Sequence, residues 1–325
     1  MTTLLSFGEV LVDLLPVDNL GLTHQPIAGG APANVAVGYA KLGSRSYFAG
    51  GISADEYGVM LTRELAEQGV DVSHLGLIPN APTATVLVSL DACGERSFSF
   101  NRKDTADMLF SAANFDAINW SAVDIFHLCS NTFTETDIFN SSLYGLQQAY
   151  AQQKLISFDV NLRLSLWDDV SLLSRRVEQC LPYTHVLKMS RDEAEFLASD
   201  RGVAVEEYLQ FCLAQGVALV LITNGAEPVH CFSKTFSFEV AVPQIKPVDT
   251  TAAGDSFVAG FLWQLGQCFE HENAQEYHTL IDVLSDQLSV QQAVKFAIKC
   301  GAMTCSVKGA FPALPSLAQV LAVIE

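Results

Sequence analysis

Basic side chains are scarce in this chain. Eighteen lysines and arginines stand against 36 aspartates and glutamates, a formal net charge of −18 at pH 7. A surface so acidic repels phosphate backbones and anionic lipid, so neither nucleic acid nor a membrane is an expected partner. Charge as a whole is sparse, at 17% of residues, which excludes a disordered polyelectrolyte. The 8 cysteines form no C-x-x-C, and the 7 histidines form no H-E-x-x-H or Cys/His cluster. A zinc site is therefore not expected, and the cysteines read as buried thiols in a reducing compartment. No run of 18 apolar residues suits a membrane span. Met1 to Glu9 lacks a basic stretch and carries an acid where a signal peptide is apolar, so a cytoplasmic location is expected. Neither G-x-x-x-x-G-K-[ST] nor a G-x-G-x-x-G after the first strand occurs, which removes the P-loop and dinucleotide readings.

Half of the 325 residues are hydrophobic, enough to bury the core of one large α/β unit. Leu4 to Phe7 reads as a buried first strand, with Asp13 closing it. Gly29-Gly30 precede a helix rich in small residues whose first turn holds Pro32, where the missing N–H costs nothing. Asp55 to Gln68 has helical spacing and stops at Gly69. Ala84–Leu90 and Arg96–Phe100 alternate with period two around Asp91-Ala92-Cys93-Gly94-Glu95, a hairpin signal. That hairpin fits a small protruding sheet or an edge of the main one.

From Ala122 strands and helices alternate. Strands are expected at 124–128, 155–158, 185–189 and 218–222, and helices near 136–152, 172–180, 192–197 and 205–214. Such alternation predicts a mostly parallel sheet with helices on both faces. A second hairpin is expected at 229–240, helices at 253–265, 290–307 and 316–324, and an exposed loop or partly helical insertion at 268–287.

The strongest chemical signal is Val248-Asp249-Thr250-Thr251-Ala252-Ala253-Gly254-Asp255-Ser256-Phe257. Small residues ending in Gly254 open a helix, so free N–H groups point one way with the helix dipole behind them and hold an anion without a basic side chain. Asp255 in that first turn is either a cap or a proton acceptor beside the anion, kept ionised by the dipole. In Gly29-Gly30-Ala31-Pro32-Ala33-Asn34, paired glycines let backbone approach a ligand, and Asn34 offers donor and acceptor to a hydroxyl. Asp13 can accept two hydroxyls. Arg163, after a strand ending in Phe158-Asp159, reaches a phosphate or pairs with Asp159. Glu193 follows Ser190 by three residues and reads as a magnesium organiser through water or as half of a capping box.

Asp249 to Phe261 and Gly29 to Ala36 resemble the two signatures of the ribokinase-like, PfkB-type carbohydrate kinases, and the resemblance spans essentially the whole chain. Within that family, Gly94–Arg102 with Ala106–Leu109, and Lys308–Pro315, are similar to fructokinase segments. The chain departs from the pattern at Asn101, Ser190, Ile298 and Ala313.

The resemblance implies a three-layer α/β/α fold over residues 1–325 with a small β lid formed by about 10–28 and 83–110. It implies MgATP-dependent phosphorylation of a ketohexose, D-fructose first, at a primary hydroxyl. Asp255 would be the general base and the N–H groups of Ala252, Ala253, Gly254 and Asp255 the anion hole. Asp13, Gly29, Gly30, Asn34, Arg102 and Arg163 would hold the sugar. Lys188, Ser190, Thr223, Gly225, Gly254 and Ile298 would hold ATP, and Glu193 would organise Mg²⁺ through water. A K⁺ ion would take ligands from Asp249, Thr251, Val307 and Gly309. The hairpin is too small to bury both its faces alone, so two lids are expected to pair in a homodimer, with Phe98 or Phe100 on the outer face. A 2-keto-3-deoxygluconate or riboside kinase remains open, because Arg102 and Arg163 suit a carboxylate. A silent sugar-binding protein is the reading of another class.

Overall fold

The computed structural model describes residues 1–17, 23–90, 96–271 and 277–322. Thirteen strands are present: β1 (Leu4–Phe7), β2 (Leu11–Pro16), β3 (His24–Gly29), β4 (Ser46–Ser53), β5 (Val70–Ile78), β6 (Thr85–Leu90), β7 (Arg96–Asn101), β8 (Ile125–Cys129), β9 (Leu155–Asp159), β10 (Val186–Ser190), β11 (Leu219–Asn224), β12 (Glu227–Ser233) and β13 (Ser237–Val240). The helices are α1 (Ala31–Lys41), α2 (Glu56–Glu67), α3 (Ala112–Asp116), α4 (Thr136–Ala151), α5 (Leu173–Cys180), α6 (Arg191–Arg201), α7 (Val205–Gln215), α8 (Ala253–His271), α9 (Gln287–Thr304) and α10 (Leu317–Ala322).

Nine strands form one sheet in the order β13-β12-β11-β10-β9-β8-β1-β4-β5. The run from β11 to β5 is parallel, and β12 and β13 add antiparallel at one edge. Alternate residues of the central strands feed opposite cores, as a two-sided parallel sheet requires. Leu5, Phe7, Phe126, Leu128, Ile156 and Phe158 pack against α4 to α7. Leu4, Ile125, Leu155, Val186 and Leu219 pack on the other side against α1, α8 and α9.

β3-β2-β6-β7 form a separate four-stranded sheet, so the early hairpin is not an edge of the main sheet. Asp13 lies in the middle of β2 rather than at the end of the first strand. The connecting residues 91–95 fall outside the described segments. The pairings Asp13 with Val86 and Val86 with Phe100 put these three side chains on one face of the small sheet. The expectation that Phe100 faces outward is thus corrected, since it packs against the cluster of Leu11, Ala84 and Val86. The Phe98 side chain lies outside the described residues.

The expected segment 268–287 is partly helical, with α8 running to His271 and a 3₁₀ turn at Leu280–Ser285, but it is not an exposed loop: Leu280, Val283 and Leu284 are buried in the core shared with α8 and α9. Residues 272–276 lie outside the described segments.

Candidate active site

The carboxyl ends of adjacent parallel strands deliver side chains to one edge of the sheet. β1 leads to Glu9, β8 to Asn131, β9 ends in Asp159, β10 carries Lys188 and Ser190, and β11 carries Thr223. This is where open α/β sheets bind ligands. A cleft of about 910 Å³ lies there. Its lining includes Asp13, Gly30, Asn34, Phe100, Arg163 and the run Asp249 to Asp255. A second, mostly apolar cavity of about 300 Å³ is lined by Thr223, Gly225, Val229, Phe257, Ile298 and Cys305 among others. Thr250, Ala253 and Gly254 line both, so the two spaces meet at the start of α8.

The loop before α8 is built to leave donors free. Ala252 sits at φ 60, the left-handed region that a non-glycine residue enters at a cost. Asp249 holds the turn: its Oδ1 accepts from the Thr251 amide at 3.0 Å and the Thr251 hydroxyl at 2.7 Å. Its Oδ2 accepts from the Gly309 amide at 3.1 Å, tying in the loop that follows α9. Among the described residues, no protein acceptor takes the amides of Gly254 and Asp255, as at an anion-binding helix start. A Cβ on Gly254 would stand 3.3 Å from Lys188 Nζ, so the ammonium lies over the same point.

Asp255 is not a cap. Its Oδ2 accepts from Asn34 Nδ2 at 2.7 Å, which brings the two sequence motifs together across 221 residues. Burial lifts the Asp255 carboxyl to about 7, the neighbouring Asp159 adds to the rise, and the Asn34 hydrogen bond with Lys188 and Arg163 opposes it. Desolvation thus works against the ionised form that the first turn of α8 favours. Burial likewise raises Asp13 to about 6.

The paired glycines earn their places. A Cβ at Gly29 would stand 2.6 Å from Asp13 Oδ2. Gly30 has φ 113, and a Cβ there would lie 2.5 Å from the Glu9 carbonyl oxygen.

Lys188 Nζ pairs with Asp159 Oδ2 at 3.0 Å. Burial alone would lower the Lys188 pKa, but Asp159, Glu193 and Asp255 outweigh it and hold the ammonium above its ordinary value. Burial lifts the Asp159 carboxyl above the usual range against the pull of Lys188. Asp159 thus pairs with Lys188, and Arg163 stays exposed at the mouth of the cleft with Nη1 on its neighbour's carbonyl, Leu162 O, at 2.9 Å. Glu193 does complete a capping box with Ser190, its Oε2 accepting from the Ser190 amide at 2.7 Å. Its Oε1 accepts from the Leu162 amide at 2.7 Å, and the side chain still borders the cleft.

Four expected residues line neither cavity: Gly29, Arg102, Val307 and Gly309. Arg102 does not line the cleft; it is buried, with Nε on Asp107 Oδ2 at 2.6 Å and Nη1 on the Asn131 carbonyl at 2.7 Å. Asp107, five residues on, provides the partner that draws it inward. Val307 is 45% exposed and lies outside both cavities, near Gly309.

Sequence reasoning missed Glu9, Asn131 and Asn161, all buried and all in the cleft wall. Asn161, at φ 41 two residues after β9, lies between Asp159 and Arg163 in the segment that sequence reasoning did single out, but Glu9 and Asn131 follow strands far apart in sequence. Among the described residues, no group of three or more His, Cys, Asp or Glu is arranged to hold a metal by itself.

Residues 1–317 match the family described as pfkB family carbohydrate kinase. The chain is 35% identical to the fructokinase of Vibrio alginolyticus over 314 residues, 97% of this chain and 96% of that protein. It is 34% identical to a probable fructokinase-7 of Arabidopsis thaliana, covering 97% of this chain and 90% of that protein. A solved fructokinase with bound ATP from Xylella fastidiosa superposes with a TM-score of 0.90 at 36% identity, covering 98% and 97% of the two chains. A double mutant of the Vibrio cholerae O395 fructokinase, solved in fructose-, ADP- and potassium-bound form, gives 0.86 at 32% identity, covering 100% and 99%. With the three-layer ribokinase-like fold, the two joined cavities and these matches over nearly the full length, the chain belongs to the pfkB family of carbohydrate kinases.

Proposed function

We propose that this sugar kinase transfers the γ-phosphoryl group of MgATP to a primary hydroxyl of D-fructose. One observation carries the reading: Asp255, held by Asn34 at 2.7 Å, stands on the sugar side of the point where the two cavities meet at Gly254. The hydroxyl oxygen attacks the γ-phosphorus in line, its proton passes to the Asp255 carboxylate, and the bond to the β-phosphate oxygen breaks to release ADP. The amides of Gly254 and Asp255 and the Lys188 ammonium meet the charge on the moving phosphoryl group. Positioning and electrostatics carry most of such a reaction.

The adenine lies against Ile298, Val229 and Phe257, with Thr223 and Gly225 along its edge. Asp13, Gly30 and Asn34 hold the sugar, Gly29 making room for the Asp13 carboxylate, and Arg163 guards the mouth. Asp159 Oδ1 is buried without a partner and, like Glu193, borders the cleft. These hard oxygens fit a hydrated magnesium ion that arrives on the triphosphate. Bound there, it neutralises phosphate charge.

The small sheet acts as a lid, since its inner face, with Leu11, Val86 and Phe100, forms part of the cleft wall. Residues 1–325 then form one kinase unit with the lid inserted. Its outer face carries Leu87 at 37% exposure and supports pairing with a second copy, which sedimentation at micromolar concentration decides. Among the described residues, six buried free thiols, Cys129 and Cys180 included, favour a cytoplasmic location. A potassium ion beside Asp249, Thr251, Val307 and Gly309 fits the hydrogen-bonded junction of the two loops. Replacing potassium by a large organic cation is expected to lower kcat; indifference would remove the ion.

Sugar-dependent ADP release across a panel of D-fructose, 2-keto-3-deoxygluconate and ribosides tests the whole reading. Fructose is expected to give the highest kcat/KM.

A further inference from the structure

Among the described residues, four buried acceptor atoms of the cleft wall have no donor: Glu9 Oε2, Asn131 Oδ1, Asn34 Oδ1 and Asp159 Oδ1. A buried acceptor left unpaired is costly, so this wall is made for a ligand that brings hydrogen-bond donors. Asn34 and Asp159 sit beside the reacting groups already described. Glu9 and Asn131 form a second pair, deeper, where β1 and β8 end side by side.

The geometry of that pair is fixed from behind. Asn131 Nδ2 donates to Glu9 Oε1 at 2.8 Å. Reversing the amide would set oxygen against oxygen, so Oδ1 of Asn131 is the atom left free. Arg102 Nη2 lies 3.9 Å from Glu9 Oε2, beyond hydrogen-bond length. The guanidinium thus supports the Glu9 charge without using the lone pairs of that oxygen. Arg102 is held through Nε by Asp107 and through Nη1 by the Asn131 carbonyl, its Nη2 is buried without a hydrogen-bond partner among the described residues, and the side chain does not line the cleft. The trio of Glu9, Arg102 and Asp107 keeps one net negative charge, and it presents that charge to the ligand.

We propose that Glu9 determines specificity by selecting a neutral polyol over a sugar acid. Its Oε2 accepts from a sugar hydroxyl, and Asn131 Oδ1 accepts from a second. A carboxylate has only acceptors, so at this wall it meets two unpaired oxygens and a like charge, and Arg102 does not line the cleft to offset them. The inference rests on the reading of the chain as a ketohexose kinase and names the group that enforces it.

The test compares D-fructose with 2-keto-3-deoxygluconate on wild type, Glu9→Gln and Asp107→Asn, each checked for folding by its thermal transition. A hydrogen bond to an ionised group is worth about ten- to a hundredfold. Glu9→Gln is expected to lower kcat/KM for fructose by that factor and to raise the acid-to-fructose ratio at least about tenfold. Asp107→Asn removes the same unit of charge from the trio but keeps both acceptor oxygens, and is expected to shift the ratio clearly less than Glu9→Gln does. Equal losses on both substrates in Glu9→Gln, or an equal shift of the ratio in both variants, would overturn the proposal. Should Glu9→Gln not fold, wild type decides: the neutral carboxamide of the sugar acid is expected to bind at least about tenfold more tightly than the acid, and equal binding overturns the proposal. A wild type that phosphorylates the acid and not fructose would instead overturn the ketohexose reading itself.

Discussion

Asp255 is an acid placed where its charge is costly, beside Asp159 and cut off from most solvent. Its pKa of about 7 puts proton acceptance in the working range of a base. Asp255→Asn is expected to lower kcat by roughly 10²–10⁴-fold or more while sparing nucleotide binding, read by steady-state kinetics and ATP titration. The same substitution bears on stability. A carboxyl whose folded pKa lies above its unfolded value of 3.8 destabilises the fold as pH rises through that interval. Asp255→Asn should therefore raise Tm at pH 8 and change it little at pH 4, measured by calorimetry at both. In the wild type, log kcat/KM for fructose should fall as pH drops below about 7, and Asp13, at about 6, should steepen the fall below that. A flat profile from pH 8 to 5.5 would assign the proton elsewhere. Asp255 and Asn34 were legible in the sequence because each sits in a contiguous glycine-led motif at the start of a helix. Glu9 and Asn131 were not, because only the pairing of β1 with β8 makes them neighbours. Arg102 was misread because a lone arginine shows its charge in the sequence but not its partner.

Among the elements, α8 and α1 were legible from their glycine-led starts, and the run of alternating strands and helices after residue 122 gave most of the parallel sheet. β4 and β5 were not foreseen. Gly50 and Gly51 interrupt β4, and β5 is only partly buried at the sheet edge, so neither shows a clean apolar run. The small sheet was legible as a hairpin but not in its orientation. Register decides orientation, and Phe100 stands opposite Val86 on the cleft side. Phe100→Ser removes apolar wall from above the sugar. It is expected to raise KM for fructose several-fold and to increase ATP hydrolysis without sugar transfer, both measured in one coupled assay. An unchanged KM with no added hydrolysis would leave the sheet without a closing role.

At the scale of the whole molecule, the composition foretold an acidic protein, and the structure shows where part of that acid gathers. Glu9, Asp13, Asp159, Glu193, Asp249 and Asp255 line the cleft against Arg163 and Lys188 alone. A charge count cannot show this, because it does not separate a solvated surface from a wall. It also explains why free ATP should be a poor donor: four negative charges entering that cleft need a counterion. Among the described residues no helix is long and apolar enough to cross a membrane.

The neck at Gly254, where the larger cleft and the apolar slot share a wall, makes the two halves of the site readable by one tethered molecule. A compound joining a ketohexose to adenosine through an oligophosphate chain would occupy both halves at once. Binding of its second end becomes intramolecular, so its affinity should exceed that of either half by about 10²–10⁴-fold. Calorimetric titration against the two separate halves measures that gain. A bulky side chain in place of the glycine, Gly254→Val, should abolish the advantage of linkage while leaving the adenosine half able to bind.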